Sequence, residues 1–436
     1  MYLNTFLYHF GLNPENFINE LVEPHISDNG ILIYNLRQRI DQRTCPKCGC
    51  IHAEINNYYW TETNFTTNDG NPVLIRIKKV RFKCKTCGKT FTPNITGIER
   101  YSRISKQVES LIVNEFYKQK SFTIIADDYG LTKSEIEKLF DKHFPYVGKG
   151  SLPTALCIDE ISFKTEDGSY AAILYDHDKR IVTDIIRNRQ EDYLRSYFYG
   201  YSFKERSKVK YFISDLYEGY ATIKDEFFKD AIHIADMFHV IRQLKVVISK
   251  LRVNTYKQFT DEGDVTRHFM KQHWECFEQY LDNKLAYKPY YSKKERFEYT
   301  TWQMMQRCLE LNQTFWDAYS CLQDFYEYWR CTSFEQAIKH IELIVNKLKR
   351  TENDDLIRVA NTYYKWKYEI ANAITVKNEN GKRYSNGPAE GMNNAIKTII
   401  KDANGYKNFE RFRKRALLIL RDKKNPSFKC TRGLHF

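Results

Sequence analysis

Four of the eleven cysteines in this 436-residue sequence fall into two pairs of one form. Cys45-Pro46-Lys47-Cys48 and Cys84-Lys85-Thr86-Cys87 each put two thiolates on a tight knuckle, and two such knuckles together offer the tetrahedral sulfur shell that zinc prefers. Gly49 and Gly88 follow the pairs, where a turn with positive φ lets backbone amides face the sulfurs. Cys50 and His52 are alternative ligands. Four protein ligands leave no open position for water, so the expected zinc is structural. The remaining cysteines are scattered, which suits a reducing compartment better than a disulfide framework.

The second constellation is acidic. Asp159 stands near the end of an apolar strand expected over Ala155 to Ile161, and Asp215 ends another expected over Val209 to Ser214. Ligands gather at the carboxyl ends of strands in α/β sheets. Two aspartates in one crevice repel each other, and a divalent cation relieves that repulsion. A single aspartate after a strand is by default a turn residue or a helix cap, and it is the pair that points to a metal.

Around these residues the sequence divides into elements that would position them. Residues 1–40 open with an amphipathic stretch and a short apolar run, Ile31 to Tyr34, with no chemistry of their own. Residues 41–95 carry the cysteines around Val73-Leu74-Ile75-Arg76-Ile77-Lys78, whose period of two predicts a strand or hairpin, as in a small zinc-ribbon-like module. From 100 to 148 the period becomes helical. A helix over Phe122 to Tyr129, then Gly130, then a helix capped by Thr132 or Ser134 has the order of a helix-turn-helix. Beyond Pro153, three strands followed by alternating helix and strand predict a mixed α/β sheet, with further strands at Tyr170 to Tyr175, Ile181 to Ile186 and Ala231 to Ala235. Residues 241–383 show no strand pattern and predict an all-helical insertion, whose tryptophans suit a core better than base stacking. Residues 384–425 are helical and basic. The fold class is therefore multidomain α+β, its α/β domain (153–240 and 384–425) interrupted by helices.

Charge narrows the partner. The formal net charge of +13 favours a polyanion, because clustered Lys and Arg release counterions from nucleic acid. Between Leu74 and Lys106 the charged residues are almost all basic; Arg76, Lys78, Lys79 and Arg81 are candidate phosphate contacts, joined by Lys133 and Ser134 at the start of the second helix of the helix-turn-helix. No apolar run is long enough to span a membrane and the first residues lack the order of a signal peptide, so a cytoplasmic protein without membrane partners is expected.

Four strings carry a resemblance. Cys157-Ile158-Asp159-Glu160, Ile213-Ser214-Asp215-Leu216-Tyr217-Glu218-Gly219-Tyr220, Asp236-Met237-Phe238-His239-Val240 and Ser385-Asn386-Gly387-Pro388-Ala389-Glu390-Gly391-Met392-Asn393-Asn394 resemble, in order, the signature blocks of bacterial insertion-sequence transposases of the ISL-three family. From about Cys45 to Leu420 the resemblance implies a zinc-binding motif, a helix-turn-helix and a ribonuclease H-like DDE domain. It makes Asp159, Asp215 and Glu390 the catalytic carboxylates, holding Mg²⁺ (or Mn²⁺) for cleavage and transfer of DNA strands at terminal inverted repeats. The D-x-x-H block implies a secondary role for Asp236 and His239, beside which a plain helix cap and a packed histidine remain open. Glu390, Asn393, Asn394 and Lys397 share one face of a helix, so a metal ligand would be followed by groups suited to DNA. Two element ends must be held at once, which implies a homodimer or higher assembly. The rivals are a catalytically silent DNA-binding regulator and a ribonuclease H-like nuclease that cuts without joining.

Overall fold

The computed structural model describes residues 7–19, 23–27, 31–66, 72–98, 103–384, 387–403 and 405–421, the side chains at 72, 165, 329 and 387–390 excepted. The chain forms two compact units, the first comprising the residues up to Val147 together with Thr398–Ile419, and the second Gly148–Lys397 with Leu420 and Arg421.

In the first unit a sheet is built from β1 (His25–Ile26), β2 (Leu32–Arg37), β3 (Ala53–Thr66), β4 (Pro72–Cys84) and β5 (Thr90–Phe91). The long hairpin β3–β4 follows from the alternation noted above: Val73, Ile75 and Ile77 are buried, while Leu74, Arg76 and Lys78 on the other face are half-buried. The inward stripe needs cover, and the N-terminal residues Leu7, Phe10, Leu12 and Phe17 supply it, packing with Leu36, Phe65 and Ile75 in one core. Residues 1–40 therefore do not stand apart as expected, since β2 also pairs in parallel with β4.

Three helices follow: α1 (Lys106–Glu115), α2 (Phe122–Asp128) and α3 (Lys133–His143). Ser105 and Ser121 cap the first two through the N–H groups of Val108 (3.2 Å) and Ile124 (3.1 Å). Gly130 turns the chain at φ +62°, and Thr132, not Ser134, closes a reciprocal cap with Glu135 at the start of α3. Ile112, Phe116, Phe122, Ile125, Ile136 and Phe140 form the core between them.

The second unit holds β6 (Ala155–Thr165), β7 (Gly168–Asp176), β8 (Ile181–Ile186), α4 (Glu191–Tyr199), β9 (Tyr211–Ser214), α5 (Glu218–Phe227) and β10 (Ile232–Ala235). The sheet order is β10-β9-β6-β7-β8; β6, β7 and β8 are antiparallel neighbours, and β9 and β10 run parallel to β6. Leu156, Ile158, Leu174 and Phe212 bury one face under Leu194, Phe198, Tyr220 and Ile223 of α4 and α5. One expectation changes: Asp159 lies in the middle of β6, not near its end. The strand outruns its pairing with β9, which stops at Cys157, because the antiparallel hairpin with β7 carries it on to Thr165.

Next come α6 (Met237–Tyr256), α7 (Val265–Gln272), α8 (Thr301–Leu309), α9 (Gln313–Tyr326), α10 (Phe334–Arg350), α11 (Asp354–Lys365) and α12 (Lys367–Thr375). Two differences from the expected all-helical insertion appear. A small hairpin, β11 (Pro289–Ser292) and β12 (Phe297–Thr300), interrupts the helices; four residues per strand give an alternation too short to register in the sequence. The boundary at 241 also falls inside α6, and the helical core extends to Ala235 of β10, so sheet and helices are not separate bodies. Trp366 is buried in that core, and Trp302 and Trp316 pack against it.

The chain ends, as far as it is described, with α13 (Gly387–Asp402) and α14 (Phe409–Leu420). The basic residues of α14 are used internally, within the first unit. Arg415 is fully buried and donates to the carbonyl oxygens of Phe116, Lys118 (3.0 Å) and Lys120 (2.6 Å) beyond the end of α1, while Lys414 and Arg411 reach Asp141. Residues 384–425, expected to form part of the α/β domain, thus divide at Lys397.

Candidate active site and metal centre

The cysteine knuckles converge. The Sγ atoms of Cys45, Cys48, Cys84 and Cys87 all lie within 4.8 Å of one another, with Cys45 to Cys87 and Cys48 to Cys84 each 3.6 Å apart. A tetrahedron with Zn–S bonds of about 2.3 Å has edges of roughly 3.8 Å, so the four sulfurs have the spacing that zinc would take. The register Ala53↔Cys84 at the base of the hairpin brings the pairs together, and Gly49 (φ +70°) and Gly88 (φ +69°) make the turns. N–H groups of Cys87 and Thr86 face the Cys84 sulfur and hold its thiol down to about 6. Cys50 is outside the cluster: its sulfur accepts from Thr86 Oγ1 (3.0 Å) and from the His52 N–H (3.3 Å).

In the second unit the sheet register aligns three aspartates. The pairing Cys157↔Ile213↔Ile234, continued by two residues on each strand, reaches Asp159, Asp215 and Asp236. All three therefore belong to one face, Asp159 within β6 and Asp215 and Asp236 just beyond the ends of the neighbouring β9 and β10. Asp159 is buried, and burial pushes its carboxyl up to about 6; His239 opposes that rise, while Asp215 and Asp236 add to it. Burial raises Asp215 too, against the Tyr217 N–H that it accepts at 3.0 Å. Asp236 does two jobs: Oδ1 caps α6 at Phe238 N (3.2 Å), and Oδ2 meets His239 Nδ1 at 2.6 Å. That hydrogen bond raises the histidine above its ordinary range. The cap and the neighbourhood of the site are thus compatible roles.

Asp215 and His239 line an open cleft of about 550 Å³ with Arg189, Tyr217, Arg242 and Gln243, and with Arg358 and Thr362 of α11. Arg189 is ion-paired with Glu160 and held between the rings of Tyr170 (4.7 Å) and Tyr217 (4.6 Å). Neither Arg189 nor Glu160 was singled out by sequence, since each reads alone as an ordinary surface charge.

The expected polar face of α13 is only partly presented. Asn394 and Lys397 are exposed, but Asn393 is buried, its Nδ2 donating to Asp159 Oδ2 at 2.8 Å and its Oδ1 accepting from the Tyr175 hydroxyl. Position 390 lies on α13, and its side chain is outside the described residues, as are Ser385 and Asn386. Among the described residues the four cysteines are the one group of three or more metal-type ligands drawn this close.

The remaining candidate DNA contacts lie in the first unit. Arg76 pairs with Glu62 (2.8 Å); Lys78 and Arg81 sit over the rings of Tyr58 and Tyr59. Lys79, whose pKa is lowered by burial, lines with Arg81, Trp60, Arg103 and Tyr129 a cavity of about 940 Å³. Lys133 and Ser134 are exposed on the first turn of α3.

Residues 156–416, about three-fifths of the chain, match the family model described as transposase, of the ISL-three DDE type. The chain belongs to the ISL-three family of DDE transposases. The matched segment contains the aspartate row and α13, and the cysteine cluster lies outside it. No curated protein matches the chain. Among the described residues no helix is long and apolar enough to cross a membrane.

Proposed function

We propose that this transposase binds the terminal inverted repeats of an insertion sequence and carries out Mg²⁺-dependent cleavage and transfer of DNA strands at Asp159, Asp215 and Glu390. The observation that carries this reading is the row of aspartates at one register, two of them with carboxyls raised by burial, inside a segment matched by a transposase family. Buried carboxylates that repel one another favour a divalent cation as counter-ion, and an all-oxygen donor set suits Mg²⁺ or Mn²⁺. Asp159, Asp215 and Glu390 together would hold the ions. Ions held there would supply activation of the attacking water or 3′-hydroxyl and stabilisation of the leaving oxygen. Support for Glu390 comes from the backbone of α13: position 390 is one turn, roughly 4.5 Å along the axis, before the residue that reaches Asp159. His239, raised by Asp236 and on the wall of the cleft, is suited to hold a backbone phosphate or orient water there.

The first unit would address the DNA. Its four cysteines suit a structural Zn²⁺ that fixes the hairpin, and Arg76, Lys78, Lys79 and Arg81 with Lys133 and Ser134 of a helix-turn-helix would contact the repeats. Asn394 and Lys397, exposed on α13, suit contact with the same duplex. The sheet of the second unit, three antiparallel strands continued by two parallel ones, supports the ribonuclease H-like reading. Joining two ends calls for a dimer or higher assembly.

The test uses the intact protein, Mg²⁺ and DNA bearing the cognate repeats, beside an Asp159→Asn variant. End cleavage followed by joining in wild type alone is the expected result. Cleavage without joining would leave a nuclease, and binding without either would leave a regulator.

A further inference from the structure

The buried amide on α13 has a geometry that contact with DNA does not explain. We propose that Asn393 is a positioning residue for the catalytic site: oriented by Tyr175, its amide fixes the Asp159 carboxylate and locks α13 to the strand that bears it. This rests on Asp159 being a metal ligand, as read above.

Three elements distant in sequence meet here. Asn393 is 234 residues from Asp159 on β6 and 218 from Tyr175 on β7. Tyr175 pairs with Cys157 across the hairpin, two residues before Asp159 on the same face, so its hydroxyl arrives beside the row of aspartates. That hydroxyl donates to Asn393 Oδ1. The bond decides which way the amide points, because a flipped amide would turn its oxygen toward a carboxylate oxygen. The Nδ2 is thereby committed to Asp159 Oδ2 at 2.8 Å. The other oxygen, Oδ1, accepts the Glu160 N–H at 2.8 Å. With one N–H on each oxygen, the plane of the carboxylate is fixed while further lone pairs stay open to a cation. Partners of this kind orient a ligand without touching the metal, and their loss costs on the order of 10- to 100-fold in metal affinity or activity. The same bond sets the position of α13, so presenting Asp159 and bringing up the Glu390 turn become one event.

The test measures metal and DNA separately, on the full-length, zinc-loaded protein. Mn²⁺ binding is titrated by electron paramagnetic resonance without DNA, with Asp159→Asn as background. The Mg²⁺ dependence of cleavage and the affinity for inverted-repeat DNA are measured alongside. Tyr175→Phe, which removes only the orienting hydroxyl, is expected to weaken Mn²⁺ binding about tenfold and to raise the Mg²⁺ needed for half-maximal cleavage by a similar factor, with DNA affinity unchanged. Asn393→Ala should do the same or more, and the double variant no worse than Asn393→Ala, because the two act in series. If Asn393→Ala does not fold, Tyr175→Phe decides alone. Unchanged Mn²⁺ affinity in a folded Tyr175→Phe protein, even with a lower Tm, would reduce the network to a structural tie and overturn the proposal. Loss of DNA affinity at constant metal affinity would overturn it in favour of a DNA contact. Wild-type protein that takes up no Mn²⁺ above background would instead remove the reading of Asp159 on which the proposal stands.

Discussion

The cysteine cluster and the row of aspartates are assembled over very different lengths of chain. The four sulfurs come from one hairpin and its two turns, with Cys45 and Cys87 only 42 positions apart. The aspartates come from one strand and the ends of two others, and their neighbour Asn393 from a helix 234 positions beyond Asp159. The sulfur cluster is therefore complete within a local unit and offers four candidate ligands of one kind. The proposed carboxylate site would exist only once a sheet, its crossovers and α13 are all in place. A closed shell suits a structural ion; an incomplete shell beside an open cleft suits one that must meet substrate.

Removing zinc should give the largest effect, and a local one. Structural zinc in small modules is worth apparent binding energies of about 10–16 kcal/mol, so Cys84→Ser or a strong chelator should strip the metal and unfold the hairpin. Hydrogen exchange read by mass spectrometry should show loss of protection across residues 53–84 and none across 155–235. Equal loss in both would break the contrast between a local and a distributed site.

The carboxylates should behave in the opposite way. Asp215→Asn should lower strand cleavage by on the order of 10³-fold, the scale of removing a group that stabilises transition-state charge, with zinc content and cooperative unfolding kept. A variant that keeps more than about a tenth of wild-type activity would exclude Asp215 from the site.

A smaller effect probes the frame of the second unit. His233 is buried on β10, bonded to Ser214 Oγ at 2.9 Å, and burial pushes it down to about 4. A histidine with a depressed folded pKa contributes stability above its unfolded value near 6.5, and that stability is lost as pH falls toward 4. The loss over this window is on the order of 3 kcal/mol, readable as a falling Tm that His233→Gln should flatten. An unchanged slope would show that other groups govern the acid limb.

The least effect is expected from single surface cations. Arg81→Ala should weaken repeat binding modestly and reduce the slope of log affinity against log salt by about one. An unchanged slope would remove Arg81 from the phosphate contacts.

The two sites also differ in how far they could be read in advance. Cys-x-x-Cys with a following glycine is a local pattern with a local cause, so ligands and turns follow from spacing. The strands leading to Asp159 and Asp215 were legible as apolar runs, but their shared register was not, because parallel pairing depends on crossovers that leave no mark in either strand. Tyr175 was hidden for a sharper reason. Counting back from the Glu166-Asp167 turn would pair Tyr175 with Ile158, on the wrong face, whereas a bulge between Ser162 and Thr165 shifts the register and sets it opposite Cys157. Asn393 looked like part of a solvent-facing stripe, since helical period alone does not say which side of α13 meets the sheet. The covering of the hairpin by Leu7 and Phe10, and the burial of Arg415, likewise depend on chain far from the residues concerned.

The most direct test of the central claim asks where the catalytic ion binds. Fe²⁺ replaces Mg²⁺ in the zinc-loaded protein, ascorbate and peroxide generate hydroxyl radicals at the ion, and the cut backbone is mapped by mass spectrometry. Cuts clustered near 159, 215 and 390, suppressed by excess Mg²⁺ and absent in Asp159→Asn, are predicted. Cuts that spare the region around 390, or that persist unchanged in Asp159→Asn, would contradict an ion held by Asp159, Asp215 and Glu390.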